Sequence, residues 1–235
     1  MRLIDMAAAA ALLGCAPAAL AGVCDAPFMH DGGHVHVAGT GAVKLDARLD
    51  FSDVGKTSPD DCSASVRGSA AYQLLGLPGG EADIDHDMRV TGGKSTFARR
   101  GRAAEPGKSF DLRLLGLFGY PDGLRQGQRL PGQAVSVALG EPGKVQMPSV
   151  IVRIGEKTVG ARERIETARG RLQCWPIRYE RSTDPAMISV GGVSLPLPAM
   201  RSTVTDWYCP DAGMVMKQEI IQSGQQALIE VKALR

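Results

Sequence analysis

The chain has 235 residues, enough for one substantial hydrophobic core or two small ones. Hydrophobic residues make up 44% and charged residues 22%, the balance of a folded globular protein, and the 29 glycines follow no three-residue period, which excludes collagen. With 27 Lys and Arg against 25 Asp and Glu the net charge is +2, too nearly neutral to argue for nucleic acid as a partner.

Arg2 opens a short positive region, residues 6–14 are apolar, and Ala19-Leu20-Ala21 has the small-x-small form of a cleavage site. Residues 1–21 therefore read as a secretory signal peptide, blemished only by Asp5, and the predicted location is the periplasm. A second pattern overlaps it. Leu12-Leu13-Gly14-Cys15 resembles a bacterial lipobox, which would leave the chain lipid-anchored to a membrane through Cys15. No later apolar run approaches roughly 18 residues, so no transmembrane segment is predicted in the mature chain. Removing the signal leaves Cys24, Cys62, Cys174 and Cys209, an even set bound for an oxidising compartment. Of the three pairings they allow, Cys24–Cys62 with Cys174–Cys209 is favoured because it staples each half of the chain once. The second of these staples would stabilise by roughly 3–4 kcal/mol in the chain-entropy model. No CxxC is present, and the spacings do not suit a compact zinc knuckle.

Beyond the signal the hydrophobic period is two. Residues 34–38 alternate, and residues 43–51 do so more fully, with Val43, Leu45, Ala47, Leu49 and Phe51 on one face and Lys44, Asp46, Arg48 and Asp50 on the other. Residues 52–63 have the composition of a loop. Strands are predicted over 66–77 and 82–90, joined through the turn at 77–80, and over 95–99 after Gly92-Gly93. Residues 109–118 read as a strand or a short helix, with Phe110, Leu112 and Leu114 in phase for a strand. Residues 119–132 hold too much Gly and Pro for a regular element and read as a connector between an N-terminal β half, 22–118, and a C-terminal β half, 133–235. In the second half strands are predicted over 134–139, 145–154 (interrupted by Pro148), 157–167, 171–181, 187–197 (with a Gly191-Gly192 turn), 203–208, 214–222 and 227–234. Residues 162–170 have a helix start as their alternative. The fold class is mainly β: a curved antiparallel sheet or half-barrel, with two similar halves in one domain as a variant.

The C-terminal third adds a resemblance. Ile165-Glu166-Thr167 leads through an Ala-Arg-Gly turn to Arg171-Leu172-Gln173-Cys174-Trp175-Pro176-Ile177, and Trp207-Tyr208-Cys209-Pro210-Asp211-Ala212-Gly213-Met214-Val215-Met216-Lys217 follows. The latter resembles the W-Y-x-P-x-x-G-x-V-K hairpin of DUF3108-like periplasmic proteins, and is similar to hairpins of lipoprotein-localisation factors with a half-barrel fold. The resemblance covers residues 150–235. Cys209 departs from the small residue usual before the proline, and Met216 is bulkier than the pattern. The resemblance implies an envelope protein that wraps a sheet around an apolar groove, some relatives carrying lipid or acyl chains. Trp175, Trp207, Tyr208, Met214 and Met216 are then the candidate ligand-binding residues. The residues themselves place Trp207 and Tyr208 on opposite faces of a strand, and Met214, Met216 and Gln218 on one face. Core packing is the plain alternative for both tryptophans.

Other sites are weaker. His30, His34 and His36, with Asp25 or Asp31, have side chains that suit zinc or copper, but the spacing is common. Asp83, Asp85 and Asp87 share a strand face without the glycine and glutamate of a calcium loop. Nucleophile elbow, Walker loop, HExxH and dinucleotide fingerprint are all missing, so neither catalysis nor a cofactor is predicted. Residues 94–129 carry eight basic side chains against three acidic ones, a stretch suited to anionic headgroups, an acidic partner or the acidic segment 22–61 of the same chain. The expected function is a non-enzymatic periplasmic binding or carrier protein for an apolar or lipid-like ligand. The alternatives are a cell-envelope assembly or interaction protein, and a hydrolase or metal-dependent enzyme.

Overall fold

The computed structural model describes residues 22–74, 80–100, 111–121, 123–137, 145–146, 150–190 and 193–235. The signal peptide expected at residues 1–21 with Cys15, most of the turn at 77–80, Phe110, the end of the strand predicted to 139, Pro148 and the Gly191-Gly192 turn lie outside the described residues.

Five strands run in succession through the N-terminal half: β1 (Gly33–Gly41), β2 (Val43–Ser58), β3 (Asp61–Leu74), β4 (Gly80–Thr91) and β5 (Lys94–Arg99). Each pairs antiparallel with the next. The alternation read at 43–51 is the burial pattern of β2, whose Leu45, Ala47, Leu49 and Phe51 are buried while Lys44, Asp46, Arg48 and Asp50 are exposed. Residues 52–63 are not a loop. β2 continues to Ser58 and β3 starts at Asp61, with register shifts at Ser52/Gly55 and Lys56/Ser58. Bulges let a polar, Gly-containing run stay paired by leaving out the residues that break alternation; Asp53, at φ 52, is one of them.

The C-terminal half is less regular. It contains β6 (Arg129–Leu130), β7 (Gln133–Val137), β8 (Val145–Gln146), β9 (Val150–Ile154), β10 (Lys157–Val159), β11 (Glu163–Thr167), β12 (Gly170–Thr183), β13 (Ala186–Val190), β14 (Val193–Leu197), β15 (Arg201–Cys209), β16 (Met214–Gln222) and β17 (Gln225–Leu234). The segment 157–167 is two strands, and 163–167 is a strand with no helix start. Between β15 and β16, Gly213 adopts φ 65; a Cβ there would also lie 2.6 Å from Ala26 Cβ, so the turn needs glycine on both counts.

β17 pairs with β1, so one sheet runs through both halves in the order β5-β4-β3-β2-β1-β17-β16-β15-β12-β10-β6, with β7, β9 and β11 attached beside β12. Among the described residues it has 14 strands, and β8, β13 and β14 form a separate three-stranded flap. The sheet is open. β5 and β6 stand at opposite ends without pairing, and neither sheet is closed or strongly curled, which corrects the expectation of a curved sheet or half-barrel.

The physical reason lies in residues 111–124. No strand forms at 111–118; Leu112–Leu114 is a 3-10 turn, and the chain then crosses one sheet face. Leu112, Leu115, Leu117, Phe118, Tyr120 and Leu124 are all buried. The Phe118 ring centroid lies 5.5 Å from Phe28, 5.7 Å from Phe97 and 6.4 Å from Phe51. The Val215 amide donates to Leu117 O at 2.9 Å. This segment covers the apolar face, so the sheet need not roll on itself to remove that face from water. Of the Gly- and Pro-rich connector, Tyr120 and Leu124 join the core, while most of its other described residues are exposed. Disulfides join Cys24 to Cys62 at the start of β3, and Cys174 to Cys209 between β12 and β15.

Candidate functional site

The covered face is largely apolar, with two polar centres. On β15, Val204, Asp206 and Tyr208 are in phase and point inward, so a carboxylate sits where the period demands an apolar group. Asp206 is 0% exposed. The Tyr120 hydroxyl donates to Asp206 Oδ2, Gln218 Nε2 donates to Oδ1 at 2.7 Å, and the Tyr179 hydroxyl donates to the same carboxylate. Lys157 Nζ donates to Tyr120 Oη at 3.1 Å and lies 4.4 and 4.7 Å over the Tyr120 and Tyr179 rings. Burial pushes the Asp206 carboxyl up, against the opposing pull of Lys157 and the three hydrogen-bond donors. Burial also lowers Lys157, with Asp206 opposing it, and burial together with Asp206 drives Tyr120 and Tyr179 well above the usual tyrosine value. A carboxylate and an ammonium removed from water each need partners, and this cluster supplies them.

A second polar centre sits under the start of the covering segment. Asp111 is 1% exposed and accepts from Arg113 Nε at 2.9 Å, Arg113 Nη2 at 2.6 Å and Arg99 Nη2 at 3.2 Å, while capping the 3-10 turn through the Arg113 amide. Burial alone would raise its carboxyl, but the Arg113 hydrogen bonds and the two guanidinium charges hold it below the carboxylate range. His86, buried on β4 with its ring edge-on to Phe97, has no hydrogen-bond partner for either ring nitrogen among the described residues. Burial lowers its pKa; Arg99 and Arg113 add to this, and Asp111 and Asp85 oppose it.

Between the covering segment and β7, β9, β10 and β12 lies a cavity of about 100 Å³. Phe97, Phe118, Val135 and Val152 form its apolar walls, and Arg113, Lys157 and Arg181 bring positive charge to it.

The residues singled out in the sequence fall elsewhere. Trp175, Tyr208, Met214 and Met216 are buried: Trp175 carries the Arg162 guanidinium 4.5 Å over its ring, and Tyr208 packs 5.7 Å from Tyr120. Trp207 faces the other way, under Lys217 at 4.8 Å, with its Nε1 donating to Glu163. None of the five lines the cavity. His34 and His36 lie on the solvent side of β1, each against its own aspartate on β2, Asp50 at 2.8 Å and Asp46 at 3.1 Å, while His30 contacts the Asp31 carbonyl. Among the described residues no group of three or more His, Cys, Asp or Glu is placed to hold a metal ion. Asp85 and Asp87 meet Arg67 at 3.7 Å and Arg100 at 3.1 Å. Sequence reasoning passed over Asp206, Gln218 and His86. Their signal was a polar residue in the apolar phase of a strand, beside Val204 and Tyr208, Met214 and Met216, and Ile84 and Met88 respectively.

The two disulfides support an extracytoplasmic location. Among the described residues no helix is long and apolar enough to cross a membrane. No family model matches the chain, so its resemblance to DUF3108-like proteins is not a family assignment, and no curated protein matches it significantly. Solved structures do match. One is an uncharacterised protein from Parabacteroides distasonis, provisionally described as a lipoprotein, with 13% identity and a TM-score of 0.54 over 89% of this chain and 98% of that one. Another, from Bacteroides fragilis, is provisionally described as an exported protein with a YmcC-like fold, with 12% identity and a TM-score of 0.51 over 87% of this chain and 96% of the other. At such identity the likeness concerns the fold alone: this chain is built like the proteins of YmcC-like fold.

Proposed function

We propose that the chain is a non-enzymatic cell-envelope protein that holds a protein partner, in preference to a lipid carrier. The observation that carries this reading is the occupied sheet face: Leu115, Leu117, Phe118 and Tyr120 of the chain itself lie where a lipid would have to lie. Sites for drug-sized ligands usually enclose about 300–1,000 Å³, against about 100 Å³ beneath the covering segment. A larger recess of about 670 Å³, beside Gly39, Lys44 and Tyr72, opens broadly to solvent and would leave an acyl chain wet.

The flap supplies the contact surface. Residues 186–200 include no charged residue, and Met187 and Val193 are 54% and 60% exposed. Apolar side chains held out on a small sheet mark a surface that gains by being covered. Pro196, within β14, has no amide hydrogen to offer along that strand, so a partner would pack on side chains rather than extend the sheet. The test is photocrosslinking from positions 187 and 193 in the native host. A discrete protein adduct from both positions is expected. Adducts to lipid alone, or a phospholipid-sized noncovalent mass on the purified protein, would overturn the reading.

A further inference from the structure

We infer that the cavity between the covering segment and β7, β9, β10 and β12 is a binding site for a small monoanion with an apolar body, such as a short aliphatic or an aromatic carboxylate. This does not rest on the partner reading, because the flap takes no part in it.

Charge is the first argument. Among the described residues the cavity is lined by three cationic side chains and by no carboxylate. Two of the three already have partners within the fold. Arg113 is held at 2.6 Å by Asp111, which also accepts from Arg99 at 3.2 Å, and Lys157, 8% exposed, reaches Asp206 through the Tyr120 hydroxyl. The Lys157–Asp206 pair sums to zero whichever member holds the shared proton. Arg181 is different: it follows Ile177 and Tyr179 on the inward phase of β12, is half-buried, and has no ion-pair partner among the described residues. Among the described residues the Arg181 guanidinium at the edge of this low-dielectric cavity has no counterion, and a single negative charge would balance it.

Size and lining are the second argument. A cavity of about 100 Å³ holds roughly seven to ten water-sized positions. Waters against Phe97, Phe118, Val135 and Val152 would lack hydrogen-bond partners on that side, so an apolar body displaces them favourably. An ion without an apolar body gains nothing from these walls, and a long acyl chain does not fit.

The test is titration of the mature, disulfide-bonded protein with benzoate, followed by NMR. Benzamide serves as the uncharged isostere, and inorganic phosphate as the anion with no apolar body. Benzoate should bind saturably, with shifts at residues 152, 157 and 181, and more tightly than either control. Arg181→Gln, at a half-exposed position, should weaken benzoate about tenfold, about 1.4 kcal/mol, and leave benzamide unchanged. Val135→Trp should fill the cavity and abolish both. The proposal is overturned if benzoate gives no saturable shift, if Arg181→Gln binds it as well as the parent, or if phosphate binds equally well. Unchanged thermal unfolding of Arg181→Gln keeps its loss of binding attributable to charge; Val135→Trp tests the cavity independently of that charge.

Discussion

β2 and β15 contribute to the same buried face in different ways. The inward side of β2 is Leu45, Ala47, Leu49 and Phe51, apolar throughout, and it meets Phe118 through ring packing. The inward side of β15 is Val204, Asp206 and Tyr208, and it meets Tyr120 through a buried hydroxyl–carboxylate hydrogen bond. Apolar burial is non-directional and would accept the covering segment in many positions. A buried carboxylate accepts few, because each misplaced partner leaves a desolvated charge. The comparison teaches that the N-terminal strands supply much of the adhesion for the cover, while β15 and β16 decide where it sits.

The sharpest way to break that contrast is Asp206→Leu. It leaves Lys157 buried without its counter-charge and should cost about 3–5 kcal/mol. Adding Lys157→Met should recover most of the loss, which urea unfolding of the single and double variants would measure. Full additivity of the two would contradict the coupling. Phe118→Ala comes next, at about 3–5 kcal/mol if the site does not collapse, with Phe118→Leu much milder. Unlike Asp206→Leu, it should have no second-site rescue by charge removal. The disulfides close separations of 38 and 35 residues, so the chain-entropy model gives each nearly the same value, about 4 kcal/mol. Paired Cys→Ser variants, compared by thermal unfolding, test whether the two ends of the sheet are equally dependent on their staples.

The smallest effect is in pH. His86 has its pKa lowered from 6.5, so the unfolded chain binds the proton more readily than the folded one. Its contribution to stability is therefore present above pH 6.5 and is lost as pH falls through the folded value. His86→Leu should flatten the decline of the urea midpoint below that pH, and an unchanged pH profile would place the acid sensitivity elsewhere.

Much of the sheet was legible because a pleat imposes a local rule. Side chains of β2 and β4 alternate in sequence as they do in space, and the strands read at 43–51, 82–90 and 171–181 lie within β2, β4 and β12. The loop expected at 52–63 failed because composition reports neither bulges nor pairing with a neighbour. Of the strand or short helix expected at 109–118, the strand does not form over the described residues and a short 3-10 helix does, for a related reason. The segment's Leu and Phe residues alternate well enough, but the sheet face beside them was already built, and covering it required a path across the strands. The candidate ligand residues were chosen from a hairpin whose aromatic and Met side chains are divided between the closed core and the opposite face.

By itself the sequence determined the period of most strands, the inward face of β2 and the four cysteines that form the two disulfides. All of these follow from residues a few positions apart or from simple counts. Only the tertiary structure decided that the sheet stays open, that the segment beginning at Asp111 is its cover, and that Tyr120 finds Asp206 across 86 residues. Those outcomes are set by desolvation. The cost of a buried carboxylate and the gain from covering an apolar face depend on what arrives from elsewhere in the chain, and no local pattern records that.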